Sequence, residues 1–409
     1  MKTMPATSSS SERLAARPAI ATQYTNWLAR LMLSRMWERQ HNVAMDPPRH
    51  ISTTTCWLSK TLLPSRIDRS APIKAPIFIL GTPRCGSTLL QDLLCRHDRV
   101  GYINYGMDLV QNPELFYAAH KLRTTLGLDV KGERYLQDSI IVNGGAPAEA
   151  MRFWGTALKL DPHALTWPQR RASDFSAAEI AFVQDTIRHV LYCFRDQGRD
   201  RFLTKCPALL TEPLLLQDIF PDARFIHLVR DGRMVANSLI KLYDLQVAQD
   251  IAVDHPVFKT DHFVPYPRVP GLEAWMKEYG PRDLRTTAHI WDSAVRFIGS
   301  VRGQLRHFHE IRYEDLCAAP EQQLNELLDF CELPRAGADG TLSRRLGNLP
   351  VTAYLKTGRL KGVSGLGGYL RDGRGRVWVW VSVLNGEQLE DRSDVHDLLL
   401  KSFTSVLGG

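Results

Sequence analysis

Residues 81–88 read Gly-Thr-Pro-Arg-Cys-Gly-Ser-Thr and follow directly on the apolar run Pro-Ile-Phe-Ile-Leu. Spaced glycines, a cation and two hydroxyls are the materials of a phosphate cradle. In the loop of ATPases and GTPases the order is G-x-x-x-x-G-K-[ST]. Backbone N–H groups wrap the phosphates, the lysine reaches the β/γ-phosphates and the hydroxyl holds Mg²⁺. Here Gly81 and Gly86 keep the spacing and Thr88 keeps the hydroxyl, but Ser87 replaces the lysine and the cation has moved forward to Arg84. Backbone amides and a helix N-terminus still suit an anion. The loop lacks the equipment for a γ-phosphate and its metal, so the expected ligand is a nucleotide without a β/γ chain to cleave.

A second concentration of cations and hydroxyls lies further on. The segment "KCPALLTEPLLLQDIFPDARFIHLVRDGRMVANSLIKLY" opens on Lys205, puts Arg230 at the end of a strand-like run and places Ser238 one helical stretch later. A third segment, "IRYEDLCAAPEQQLNELLDFCELP", carries Tyr313 and ends in an amphipathic helix with proline at both ends, Pro320 and Pro334.

These groups need a scaffold that presents them together. Pro76 to Leu90 reads as strand, loop and helix start; Ala178 to Phe194 as a helix; Ala223 to Asp231 as a strand feeding another helix. Buried strands feeding helices predict an α/β fold, a P-loop-type parallel sheet with helices on both faces. Arg84 and Arg230 then both fall where a strand ends, the ligand edge of such a sheet. Residues 1–70 are expected to form a flexible leader and helical extension, 71–336 the nucleotide-binding domain, and 337–409 a Gly-rich, β-prone tail containing the run "VWVWVSVL". The helical extension, Thr22 to about Gln40, is basic and amphipathic, so it suits either packing on its own domain or peripheral contact with a membrane surface. The section from about Ala252 to Gly271 is proline-rich and reads as a long surface loop.

Together the three segments resemble the PAPS-dependent sulfotransferases over roughly Pro76 to Pro334, most closely the bacterial and protein-tyrosine branches, which also carry an arginine in the loop and K-x-P before "FPDARFIHLVRD". The resemblance implies that the loop residues Pro83, Arg84, Cys85, Gly86, Ser87 and Thr88 hold the 5′-phosphosulfate, with Arg84 beside the bridging oxygen. It also implies that Arg230 and Ser238 grip the 3′-phosphate, that Tyr313 lies near the adenine, and that Lys205 is a second cation at the transferring group. The implied reaction moves a sulfuryl group from PAPS to a hydroxyl without a metal. Cations fixed at the leaving oxygen stabilise the transition state more than the ground state.

The acceptor hydroxyl needs a general base. The resembling branches place a glutamate some twenty residues beyond the loop, but this sequence has Asn104 and Gly106 there. Two carboxyls are candidates instead: Asp108, and Glu149 in "NGGAPAEAMRFW". If neither serves, the chain is a PAPS- or PAP-binding relative with weak or no transfer. A phosphoryl-transferring kinase is a third reading, disfavoured by Ser87 and by a second strand that ends on Arg230-Asp231 rather than on a Walker-B acid.

The tail carries a second resemblance. "AYLKTGRLKGVSGLGGYLRDGRGRVWVWVSVLNG" is similar to the last part of D-alanyl-D-alanine carboxypeptidases, with Lys356-Thr357-Gly358 as the K-T-G element. No S-x-N is found, and the S-x-x-K of "SLIK" belongs to the Ser238 segment, so peptidase activity is not expected. "KGVSG", Lys361 to Gly365, also has the K-G-x-x-G form with which sulfotransferases close over the nucleotide, and a recombined end is the other reading.

Composition narrows the remaining choices. The chain has 409 residues, 44% hydrophobic, with a formal net charge of +7, enough to favour an anionic ligand and too diffuse to argue for nucleic acid. Seven cysteines without a CxxC pair argue against disulfides and zinc and for a reducing, cytoplasmic setting. No apolar run approaches a membrane span. The acceptor is expected between the nucleotide motifs, at Tyr102 to Trp167 and Asp244 to Trp275, where aromatics and prolines suit a small molecule, glycan, lipid or peptide hydroxyl.

Overall fold

The computed structural model describes residues 67–110, 112–127, 131–133, 141–161, 164–248, 267–334, 349–360, 363–386 and 393–407. The expected helix at 22–40, most of the proline-rich stretch after 252, and the boundary near 337 lie outside the described residues. The chain divides into two compact units, Met1–Pro320 and Glu321–Gly409.

In the first unit, β1 (Ile77–Leu80) runs through the glycine loop into α1 (Ser87–Leu94). Then come β2 (Val100–Gly101), α2 (Tyr105–Val110), α3 (Pro113–Leu126) and a two-stranded ribbon of β3 (Lys131–Glu133) and β4 (Ile141–Asn143). α4 (Met151–Ala157) and α5 (Ala177–Cys193) lead to β5 (Arg201–Lys205), and α6 (Pro213–Ile219) to β6 (Arg224–Val229). α7 (Gly232–Ala248), α8 (Leu272–Tyr279) and α9 (Leu284–Val301) precede β7 (Phe308–Arg312), and α10 (Tyr313–Ala318) starts where β7 stops. The strands form one five-stranded sheet in the order β2-β5-β1-β6-β7, with every neighbouring pair parallel.

The sequence explains the centre of this sheet. β1 (Ile-Phe-Ile-Leu) and β5 are buried at every position, so both faces are covered, as the unbroken apolar run of β1 requires. Phe78 stacks on Phe225 of β6 with ring centroids 5.6 Å apart and meets Trp154 of α4 edge-on at 6.3 Å. The Trp154 indole N–H donates to Thr204 Oγ1 at 3.1 Å, so a polar handle in the core is satisfied. α5 begins at Ser176, whose hydroxyl accepts from the Glu179 N–H while the Glu179 carboxylate accepts from the Ser176 N–H, a reciprocal cap. A buried ion pair, Arg170 Nη2 to Glu212 Oε1 at 2.7 Å, ties the segment after α4 to the start of α6.

The second unit opens with α11 (Pro320–Phe330), shorter than the Pro-to-Pro span expected, because the chain turns into the left-handed region at Glu332 (φ 54°). It continues as an antiparallel sheet of β8 (Thr352–Leu360), β9 (Val363–Arg371) and β10 (Val377–Asn385), in the order β10-β9-β8, followed by α12 (Ser393–Leu407). The β-prone run is thus a strand, and Lys356-Thr357-Gly358 lies within β8, paired with Gly367, Leu366 and Gly365. Leu366, Leu370 and Leu400 form the core, with Trp378, Trp380 and Phe403 packed on it. Val377, Val379, Val381 and Val383 alternate with these tryptophans and are exposed. His396 is buried between two hydroxyls, Ser382 at 2.8 Å and Ser364 at 3.1 Å. No described helix is long and apolar enough to cross a membrane.

The aromatic cluster around Phe78 has a measurable consequence. Phe78→Ala is expected to lower the unfolding free energy of the first unit by about 3–5 kcal/mol, read as a shift of its urea transition.

Candidate functional site

Parallel strands end at one edge, so the carboxyl ends of β5, β1 and β6 are neighbours. From β1 the chain moves across β5's position to β2, whereas from β6 it moves the other way to β7. The crevice between β1 and β6 is therefore a switch point, where open α/β sheets bind ligands. β5 contributes Lys205, its last residue; β1 contributes the loop 81–86; β6 contributes Arg230 just beyond its end; β7 contributes Tyr313.

The loop is tightly determined. A Cβ at Gly81 would lie 2.8 Å from Cys85 Sγ and 2.9 Å from the Leu228 carbonyl oxygen. Gly86 has φ 96°, and a Cβ there would sit 2.3 Å from Cδ2 of Tyr313, so the tyrosine ring packs on the bare backbone. Arg84 also takes a left-handed conformation, φ 71°, which is costly for a residue with a Cβ. Gly86 is the N-cap of α1 and leaves the helix start without a side-chain cap or an acidic residue in the first turn. This is a local surplus of positive potential. Cys85 and Ser87 are buried, and burial pushes the Cys85 thiol up, although Ser87 opposes the shift.

The second cluster closes on the first. Arg84 Nε donates to Ser238 Oγ at 3.0 Å, and Arg230 Nη1 donates to the Arg84 carbonyl at 3.1 Å. The Arg230 guanidinium lies 4.5 Å from the Tyr313 ring centroid. Arg84, Ser238, Arg230 and Tyr313 thus share one corner, with Pro83 in the loop beside it. Two residues that sequence reasoning passed over hold that corner. The Trp291 indole of α9 donates to the Arg230 carbonyl at 3.1 Å, and it fills the space a Cβ at Gly232 would need. Glu314 Oε1 accepts from the Asp231 N–H at 2.9 Å. The Asp231-Gly232 pair directly after the strand was the available signal, since a glycine there admits a large neighbour.

On the other side of the loop, Lys205 is buried, donates to Thr88 Oγ1 at 3.1 Å and pairs with the Glu149 carboxylate. Backbone bonds explain how Glu149 and Asp108 come to the same place. Tyr105 N–H bonds Ala146 O, Gly106 N–H bonds Gly144 O, and Ala148 N–H bonds Ile103 O, at 3.2, 2.9 and 2.9 Å. The Gln91 side chain of α1 donates to the Ala148 carbonyl at 3.2 Å, which fastens this pair of segments to the loop's helix. Ala150, next to Glu149, is left-handed with φ 53°. Asn104 is buried and its Oδ1 accepts from the Met107 N–H, so it caps α2. Desolvation raises Asp108 to about 6; Arg152 and the Phe153 N–H oppose the rise and Glu149 adds to it. Arg152 is a further buried charge that the sequence did not single out.

All the expected residues of the loop, of Lys205, of the Arg230 and Ser238 pair and of Tyr313 therefore meet along one sheet edge, with both candidate carboxyls on the Lys205 side. Such an arrangement can neutralise an anion from several directions at once, with a carboxylate paired to one of the cations.

The profile of the sulfotransferase family matches residues 76–337. Residues 317–404 match the D-Ala-D-Ala carboxypeptidase 3 (S13) family, the second resemblance of the tail. Among curated relatives, the omega-hydroxy-beta-dihydromenaquinone-9 sulfotransferase Stf3 of Mycobacterium bovis is 26% identical over 68% of this chain and 69% of its own length. An uncharacterised protein of Aquifex aeolicus is 23% identical over 65% of this chain, which spans only 26% of that longer protein. Solved structures with similarity include the sulfotransferase domain of the curacin biosynthetic pathway (21% identity, 64% of this chain and 76% of that one, TM-score 0.33). The sulfotransferase STF1 of Mycobacterium tuberculosis H37Rv is another (14% identity, 82% and 85%, TM-score 0.40). With its profile matched across well over half of the sequence, the chain belongs to the sulfotransferase family.

Proposed function

We propose that the protein transfers a sulfuryl group from PAPS to a hydroxyl acceptor by in-line displacement, without a metal. The observation that carries this reading is the set of cations and donors at adjacent strand ends: Lys205 after β5, Arg84 and the uncapped start of α1 after β1, and Arg230 with Ser238 after β6. PAPS supplies the sulfuryl group and a nucleotide leaving group. The residues present fit it. Backbone N–H groups of Gly86, Ser87 and Thr88 receive the 5′-phosphate, and Pro83 and Cys85 fix the loop that aims them. Arg230 and Ser238 hold the 3′-phosphate, and the Tyr313 ring, braced by Gly86 and Arg230, bounds the adenine side. Arg84 and Lys205 stabilise the charge that grows on the leaving oxygen, and preorganised cations of this kind act without reorganising during the reaction. Six free cysteines among the described residues support a reducing, cytoplasmic setting.

The acceptor carries a hydroxyl. The mycobacterial relatives are named for a hydroxylated menaquinone, so an isoprenoid alcohol such as farnesol is the first acceptor to try. A second reading, a nucleotide-binding relative with little transfer, draws on Asn104: the position where the family's glutamate is expected carries a capping residue instead.

Calorimetric titration with PAP beside 5′-AMP tests the nucleotide site, because the two differ by the 3′-phosphate. PAP is expected to bind far more tightly than AMP, and equal or absent binding would overturn the assignment. Arg230→Ala is expected to weaken PAP on the order of 10–100-fold, the size of a lost hydrogen bond to a charged group. An unchanged affinity would remove Arg230 from the 3′-phosphate site. Lys205→Ala is expected to lower kcat about 10²–10³-fold with a smaller change in PAP affinity, measured by steady-state kinetics and titration together.

A further inference from the structure

Two carboxyls stand on the Lys205 side of the site. Resting on the sulfotransferase reading, we propose that Asp108 is the residue that accepts the proton of the acceptor hydroxyl, and that Glu149 is a positioning residue that holds Lys205.

The oxygens of the two groups are engaged differently. Glu149 Oε1 accepts from the Lys205 ammonium, so this carboxylate already serves a buried cation. Lys205 is itself fixed against Thr88 of the phosphate loop, so the pair belongs to the donor side of the cleft. Asp108 takes one hydrogen bond from the Phe153 N–H, while its Oδ1 is buried and has no hydrogen-bond partner. A buried acceptor without a partner is costly, and an incoming O–H removes that cost. The residue as a whole is only half-buried. Rotation about the broad terminal torsion of the side chain exchanges this oxygen with the one that faces the Phe153 N–H.

Basicity points the same way. The charged groups acting on Asp108 are Arg152 and Glu149 from the α4 segment; the Cys206 thiol, near Asp108, Glu149 and Lys205, is pushed up by burial and stays neutral. Desolvation outweighs Arg152 and leaves Asp108 titrating at about 6, more basic than an ordinary carboxylate and still ionised at neutral pH. A base is most effective when its pKa lies near the working pH. In the step, the acceptor O–H bond breaks and its proton goes to Asp108. The freed electron pair of that oxygen forms the new bond to sulfur. The bond from sulfur to the bridging oxygen breaks, with its pair leaving on the nucleotide 5′-phosphate, and Asp108 returns its proton to solvent.

Two acceptors of different acidity separate a base from a merely structural group. With PAPS as donor, Asp108→Asn is expected to lose on the order of 10²–10⁴-fold in kcat with farnesol, far less with 4-nitrophenol, which ionises without help, and nothing in PAP affinity. The wild-type rise of kcat/KM through about pH 6 should vanish in Asp108→Asn and partly return in Asp108→Glu. Glu149→Gln should depress both acceptors alike and keep the rise. If Glu149→Gln shows the acceptor-dependent loss, or Asp108→Asn loses both acceptors equally, the proposal is wrong.

Melting against pH supplies a readout that needs no turnover. Asp108 has a folded-state value of about 6 against 3.8 for the free side chain. Stability is therefore full below the lower value, falls as pH rises through that window, and is flat above it. Asp108→Asn lacks this fall, so its melting temperature should gain on the wild type between pH 4 and 6. A variant that melts lower by the same amount at every pH would overturn the proposal, and this arm decides alone if neither acceptor is sulfated. Loss of PAP binding in the wild type would instead overturn the nucleotide reading itself.

Discussion

Hydrogen bonding of β1 to a strand on each side is the constraint on which the site depends. Ile79 lies beside Lys205 and Leu80 beside His227. Once that register is set, the end of β5 stands next to the start of the glycine loop, and Arg230 comes up beyond the end of β6. Sliding one strand by a residue would turn buried side chains to the wrong face and carry a cation away from the loop. The apolar packing of Phe78 against Phe225 and Trp154 is therefore also what aligns charges several residues away.

Above the sheet edge, order comes from polar contacts rather than burial. The Arg84 carbonyl and side chain, the Ser238 hydroxyl and the Arg230 guanidinium are joined in sequence, and Tyr313 covers Gly86 and Arg230 together. On the Lys205 side the electrostatics are different. A buried ammonium is balanced by Glu149, and a second carboxyl nearby is left with poor solvation. One side of the loop gathers cations and hydroxyls, and the other side holds two carboxyls beside a buried ammonium.

The residues around the glycine loop and Arg230 were legible in the sequence because they are local. The strand, loop and helix of residues 76–94 are contiguous, and Arg230 and Ser238 are separated by a single helical stretch, so these residues could be picked out together, while the roles expected of them came from the family resemblance. The Lys205 side was not legible in this way. Asp108 and Glu149 are distant in sequence and are brought together by backbone bonds between 103–106 and 144–148, which leave no trace in side-chain pattern. Two carboxyls could be named from the sequence, but their different engagement depends on Lys205 and on burial. Trp291 under Gly232 was invisible for the same reason. In the tail, the alternation of "VWVWVSVL" correctly signalled a strand, and the K-T-G element does fall on its neighbour β8. No sequence pattern, however, indicated that the valines rather than the tryptophans face outward.

The left-handed backbone at Ala150 has a bearing on how such an enzyme evolves. Glycine at this position would relieve the conformational strain, and selection for thermal robustness alone would favour the exchange. It would also slacken the turn that aims Glu149 at Lys205. Stability and the placing of a carboxylate beside a buried ammonium thus pull on this one residue in opposite directions.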